Sequence, residues 1–169
     1  MLYRGRVADL SLDTFRTSDG RSFLRETIHH PPSVVILPVT PEGKILLIRQ
    51  YRHAVGRYIY EIPAGTSEPN EPLLGCAKRE LAEETGHTAR RWRRLCEFYP
   101  APGISTEWMA LYVATGAIPR KEGTCMDDDE HIDLQVTSPK KALQMVRTNQ
   151  IVDAKSIIGL LWGLHRIRW

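Results

Sequence analysis

Between Gly65 and His87 the chain reads GTSEPNEPLLGCAKRELAEETGH, and no other stretch constrains the fold as tightly. Pro72 suits the first turn of a helix, where a missing N–H is harmless, and Gly86 suits the left-handed residue that ends one. A helix is therefore predicted between them. Glu80, Glu83 and Glu84 then stand at i, i+3 and i+4, on one helical face. Like charges at that spacing destabilise an isolated helix by roughly a few tenths of a kcal/mol per pair. Leu74, Ala77 and Leu81 form a neighbouring apolar stripe that can dock the helix on a core. A docked helix presenting clustered carboxylates offers a seat for a hard divalent cation, which takes oxygen ligands and keeps waters that phosphate oxygens can replace. The competing reading is a solvated acidic face, and three nearby glutamates alone would favour it.

A chain of 169 residues fits one domain with a small appendage. Its net charge of +3 and the lack of a long basic tract argue against nucleic acid as a polymer partner. No apolar run approaches the ~20 residues that span a bilayer, and the first residues lack the apolar core of a signal peptide. Cys76, Cys96 and Cys125 show no metal-type spacing, and an odd count argues against a disulfide framework. A cytoplasmic location without membrane attachment is the expectation.

Residues 2–12 alternate loosely, Ser18-Asp19-Gly20 signals a turn, and residues 22–29 fit a returning strand. Pro31-Pro32 then separates a β appendage (1–32) from the main domain (33–169). Residues 33–40 (SVVILPVT) and 44–50 (KILLIRQ) form a buried hairpin around Pro41-Glu42-Gly43. Arg49 and Arg52 fall on opposite faces of a regular strand, so one of them faces any site, and an arginine fork is a natural partner for a diphosphate. The run Arg90-Arg91-Trp92-Arg93-Arg94 reads as a solvated edge after the helix, followed by strands at 95–99 and 109–114. The loop between them, Tyr99 to Glu107, carries two prolines and a glycine and is stiff enough to hold ligand-contacting groups. Asp127-Asp128-Asp129-Glu130 is a charge run before a strand at 132–136. Ser138-Pro139 and Asp153 open two closing helices. His165, on the apolar stripe of the last one, reads as a packed or surface residue.

The 65–87 stretch resembles the signature of the Nudix hydrolases, G-x5-E-x7-R-E-U-x-E-E-x-G-U, with U apolar. Gly65, Glu71, Arg79, Glu80, Leu81, Glu83, Glu84 and Gly86 match, and His87 departs from the final apolar position. The resemblance spans roughly residues 33 to 165. It implies an α/β fold: an α/β/α sandwich with a mixed central sheet, here with a small N-terminal antiparallel sheet that joins a homodimer. It also implies hydrolysis of a nucleoside diphosphate linked to another moiety, dependent on Mg²⁺ with Mn²⁺ as the alternative ion. Glu80, Glu84, the carbonyl of Ala64 and Glu130 are the implied metal ligands. Glu83 belongs to the same cluster, Asp128 is the implied general base with Asp127 and Asp129 as the alternatives, and Arg79 orients the acids while Glu71 is structural. Arg52 matches a Q-[YF]-R element and Glu61 opens an E-x-P-A-G run; both are implied substrate contacts, as is Arg25, with Phe15 a stacking candidate. Pro102, sixteen residues after Gly86, and Glu107 resemble the P-G-x-S-x-E loop of the ADP-ribose pyrophosphatase branch. ADP-ribose, cleaved to AMP and ribose 5-phosphate, is the expected substrate. Another nucleotide sugar, a dinucleotide, an oxidised nucleoside triphosphate, or a non-catalytic nucleotide-binding module are the alternatives.

Overall fold

A computed structural model describes residues 1–121 and 132–167. β1 (Tyr3–Arg4), β2 (Asp9–Arg16) and β3 (Ser22–His29) form a separate three-stranded antiparallel sheet. It is bound to the rest through the loop after residue 100: Ile28 donates its N–H to the carbonyl of Ile104 (2.8 Å) and accepts from Thr106 N–H (2.9 Å). Its apolar side chains Leu12, Phe15, Phe23 and Leu24 stay exposed in the single chain.

The remaining strands are β4 (Ser33–Val39), β5 (Ile45–Arg52), β6 (Arg57–Glu61), β7 (Ala64–Thr66), β8 (His87–Phe98), β9 (Met109–Pro119) and β10 (Ile132–Thr137). They form one mixed sheet in the order β10-β5-β4-β9-β8, with β6 paired to β5 and β7 to β4. β4 is buried along its whole length and runs parallel to β9. Alternation divides its side chains between two cores. Val34 and Ile36 meet helix α1 (Leu73–Thr85), whereas Val35, Leu37 and Val39 meet α2 (Pro139–Arg147) and α3 (Ala154–Arg166). The result is helix, sheet, helix. Among the described residues no helix is long and apolar enough to cross a membrane.

Three local expectations need revision. The 33–50 hairpin closes only at its tip, with Thr40 N–H to Lys44 O at 2.9 Å and the single pair Val39–Ile45. The next donor facing β5 would belong to residue 38, a proline, and the one after it, Ile36 N–H, goes to Pro63 O instead (2.8 Å). The strands therefore part, and β7 takes the vacated edge. The buried stripe of α1 is Cys76, Ala77 and Leu81 with Leu73 packed beside them, while Leu74 is 39% exposed. The helix begins one residue after Pro72, which acts as its extended cap and turns the stripe away from Leu74. Finally, the arginine-rich run belongs to β8, an edge strand of the sheet. Its side chains protect that edge from pairing with other chains.

Candidate active site

One wall of the site is written into α1 and the turn before it. Gly65 ends up so close to Glu80 that an added Cβ would fall 2.0 Å from the carboxylate carbon, so any side chain there would displace the Glu80 carboxylate from its present position. The neighbouring Ala64 N–H donates to Glu84 Oε2 at 3.0 Å, and Glu84 is 5% exposed. Gly86, at φ 66°, ends the helix in the left-handed conformation and lets the chain turn directly into β8. His87 then packs in the interior, its Nδ1 donating to Thr85 O at 2.6 Å, so a polar ring fills the apolar position of the signature without an unpaired nitrogen on that side.

Arg79 is the hub of this wall. Its Nε and Nη2 grip both oxygens of Glu71 (3.0 and 2.9 Å), Nη2 also reaches Thr66 O (3.2 Å), and Nη1 is shared between Glu80 Oε1 (2.7 Å) and Glu83 Oε2 (2.9 Å). The hydrogen bonds from Arg79 hold the Glu71 carboxyl down to about 2, and the same contacts, those to Glu71 foremost, raise the guanidinium above its ordinary value. The repulsion between neighbouring glutamates is thus offset by one interleaved cation.

The facing wall brings together distant parts of the chain. Glu61, 1% exposed, accepts from Arg52 Nε and Nη2, both at 2.7 Å, and from Lys155 Nζ. Lys155 Nζ also lies 3.0 Å from Asp153 Oδ1. Burial alone would raise the Glu61 carboxyl, but Arg52 and Lys155 outweigh it and the net shift is downward. Arg52 shifts upward, chiefly through its bond to Glu61. Between the walls lies a cleft of about 630 Å³, lined by Arg52, Ala64, Gly65, Glu80, Glu84 and Lys155, with Glu107 at its rim. Ser33 Oγ donates to Glu107 Oε1 at 2.7 Å, and His30 Nδ1 stands 3.6 Å from the same oxygen.

Residues 29–157 match the family model described as the NUDIX domain. The chain belongs to the Nudix family. It is 35% identical over 159 residues to the ADP-ribose pyrophosphatase of Bacillus subtilis (strain 168), covering 94% of this chain and 86% of the relative. The methanol dehydrogenase activator of Bacillus methanolicus shows the same identity and coverage. A solved structure described as an ADP compounds hydrolase superposes with a TM-score of 0.82 at 22% identity, over 98% of this chain and 92% of that one. The α/β architecture with its mixed sheet is therefore that of the Nudix hydrolases.

Within this Nudix fold, the residues singled out from sequence fall into three groups. Arg52, Ala64, Glu80, Glu84 and Glu107 line the cleft, and Arg79 and Glu83 stand directly behind it, whereas Glu61 does not reach the cleft surface and is buried behind Arg52 and Lys155. Arg25, Phe15 and Pro102 do not line it. Arg25 lies over the Phe23 ring on β3, Phe15 is exposed on β2, and Pro102 is on the exposed turn that braces β3. Asp127, Asp128, Asp129 and Glu130 lie outside the described residues. Arg49 turns to the other face, over Tyr58 at 4.4 Å.

Lys155 was missed. Its signal was a cation in the first turn of a helix, where the dipole disfavours positive charge. Such a residue calls for an acidic partner, but sequence does not say which.

The donors at the cleft fit a hard divalent ion. Glu80 and Glu84 offer carboxylate oxygens and the Ala64 backbone adds a carbonyl, while the His30 imidazole and the Met109 thioether line the same cleft. Among the described residues no group of three or more His, Cys, Asp or Glu side chains is arranged to hold an ion. Glu80 and Glu84 therefore need other oxygen ligands.

Proposed function

We propose that this Nudix protein is an Mg²⁺-dependent pyrophosphohydrolase that cleaves ADP-ribose to AMP and ribose 5-phosphate. The observation that carries the reading is the opposition, across one cleft, of two α1 carboxylates and a forked arginine. That pairing suits a diphosphate: one side supplies oxygen ligands for a cation, the other N–H donors for phosphate oxygens. The likeness to the ADP-ribose pyrophosphatase of Bacillus subtilis supports ADP-ribose as the substrate.

Glu80, Glu84 and the Ala64 carbonyl would hold the ion, with Glu130 completing the set. When bound there, the ion would supply Lewis-acid stabilisation of the negative charge that develops during hydrolysis. Arg79 hydrogen-bonds to Glu80 and Glu83 and orients them for that role. Arg52, anchored from behind by Glu61, holds the diphosphate, and Glu107 borders the terminal ribose. Asp128 accepts a proton from the attacking water; one P–O bond forms, the bridging P–O bond breaks, and each product leaves as a monophosphate. The exposed apolar side chains of the 1–32 sheet favour a homodimer, in which Arg25 would reach the neighbouring subunit's cleft. A cytoplasmic location suits this substrate.

Hydrolysis of ADP-ribose in ¹⁸O-labelled water tests the reading. Label in one monophosphate product, formed with Mg²⁺ and absent with chelator, is the expected result. Tight binding without turnover would favour a non-catalytic nucleotide-binding module. Faster turnover of another nucleotide sugar or a dinucleotide would reassign the substrate.

A further inference from the structure

Lys155 stands where a cation is least welcome. It is the second residue of α3 after the Asp153 cap, so the helix dipole opposes its charge, and it is only 8% exposed. A buried ammonium survives only with close partners, and here these are Glu61 and Asp153. Glu61 passes the constraint on. It takes the Nε and one Nη2 hydrogen of Arg52, which leaves the opposite edge of the guanidinium, Nη1 and the second Nη2 hydrogen, to face other acceptors. Arg52 has a half-exposed side chain at the cleft, and without an anchored edge it would sample several rotamers. The same helical turn holds the adjoining backbone as well, because Ser156 Oγ accepts Ile62 N–H at 2.9 Å, two residues before Ala64.

We infer that Lys155 is a positioning residue for diphosphate binding: acting through Glu61, it fixes the free edge of Arg52 toward the cleft, opposite Glu80 and Glu84. The inference rests on the pyrophosphohydrolase reading above and adds to it a residue outside the signature. If Lys155 only neutralised a buried carboxylate, its loss would lower stability and leave substrate binding alone. A positioning role instead couples Lys155 to Arg52.

Full-length Lys155→Gln, Lys155→Arg, Arg52→Lys and the double variant Arg52→Lys/Lys155→Gln test this, with kcat and KM for ADP-ribose measured separately in Mg²⁺ and Tm followed alongside. Lys155→Gln should raise KM about tenfold while kcat falls less than about threefold, the size expected for losing one well-oriented charged contact. Lys155→Arg, which keeps the charge, should stay within about twofold of the parent KM. In the Arg52→Lys background the fork is already gone, so Lys155→Gln should add no more than about twofold. An unchanged KM in Lys155→Gln, or a full tenfold rise on top of Arg52→Lys, overturns the inference. If Lys155→Gln does not fold, Asp153→Asn replaces it, since asparagine still caps α3 but withdraws one carboxylate from the ammonium. A KM rise of about threefold is then expected, on the same reasoning about a weakened charged contact, and no rise overturns the idea. A parent with no Mg²⁺-dependent turnover sinks the functional reading and this inference together, whereas an active parent with unaffected variants sinks only the role of Lys155.

Discussion

Two charged networks face each other across the cleft, and they are assembled in opposite ways. Around Arg79, the partners Glu80, Glu83, Glu71 and Thr66 lie between one and thirteen residues away in the chain. Around Glu61, Arg52 is nine residues away but Lys155 is ninety-four. The first network follows from helix periodicity and one turn, so fixed spacing encodes it. The second exists only once α3 has packed under β6. Their most enclosed carboxylates also differ: Glu80 keeps 13% of its side-chain surface, while Glu61 keeps 1%. The local network should lose less stability when one member is removed than the long-range one centred on buried Glu61.

The largest effect should come from the local side. Glu84→Gln keeps an acceptor for Ala64 N–H but removes the charge, and kcat should fall roughly 10²- to 10³-fold with the circular dichroism spectrum unchanged. Near-normal turnover would remove Glu84 from the metal-binding set. Arg79→Ala tests tolerance: it strands three carboxylates that are partly solvated, so unfolding by urea should show a loss of about 2 kcal/mol rather than collapse. A loss as large as that of a fully buried pair would erase the contrast between the two networks. Arg52→Lys exchanges a fork for a point charge, and KM should rise about tenfold with the fold retained.

A smaller effect concerns acid. The folded pKa of Glu71, about 2, lies below its ordinary value of 4.5. Its contribution to stability is therefore present above pH 4.5 and lost as pH falls through about 2. Denaturant titrations of Glu71→Gln should show a flatter loss of stability across that window than the parent, and parallel curves would mean that Arg79 does not hold this carboxylate down. The smallest effect belongs to a control away from both networks. Arg91→Ala, on the exposed edge strand, should change stability by less than about 0.5 kcal/mol and leave kcat alone.

What could be read from the sequence follows the same division. α1, its left-handed stop at Gly86, β3, the cap of α2 and the cap of α3 all depend on neighbours a few residues away, and turn and capping chemistry located them. The open hairpin was not legible, because the missing N–H of Pro38 matters only once β7 competes for the same edge. Likewise the docking face of α1 depends on one residue of phase at Pro72. Asp153 was recognised as a cap, yet its second task, steadying Lys155, depends on where β6 ends up. His87, which departs from the apolar position of the signature, is an interior ring whose Nδ1 donates to the carbonyl two residues earlier.

The parting of β4 from β5 has a kinetic consequence. The central strand gains one neighbour from residues 64–66 and the other from residues 109–119, so it cannot be enclosed by zipping up a hairpin. Closing such long loops precedes any reward from pairing, which favours folding on the scale of roughly milliseconds to seconds. On a ribosome, β4, apolar apart from Ser33, would wait unpaired along most of its length until β9 has been synthesised, and that interval is when the strand is most exposed to aggregation.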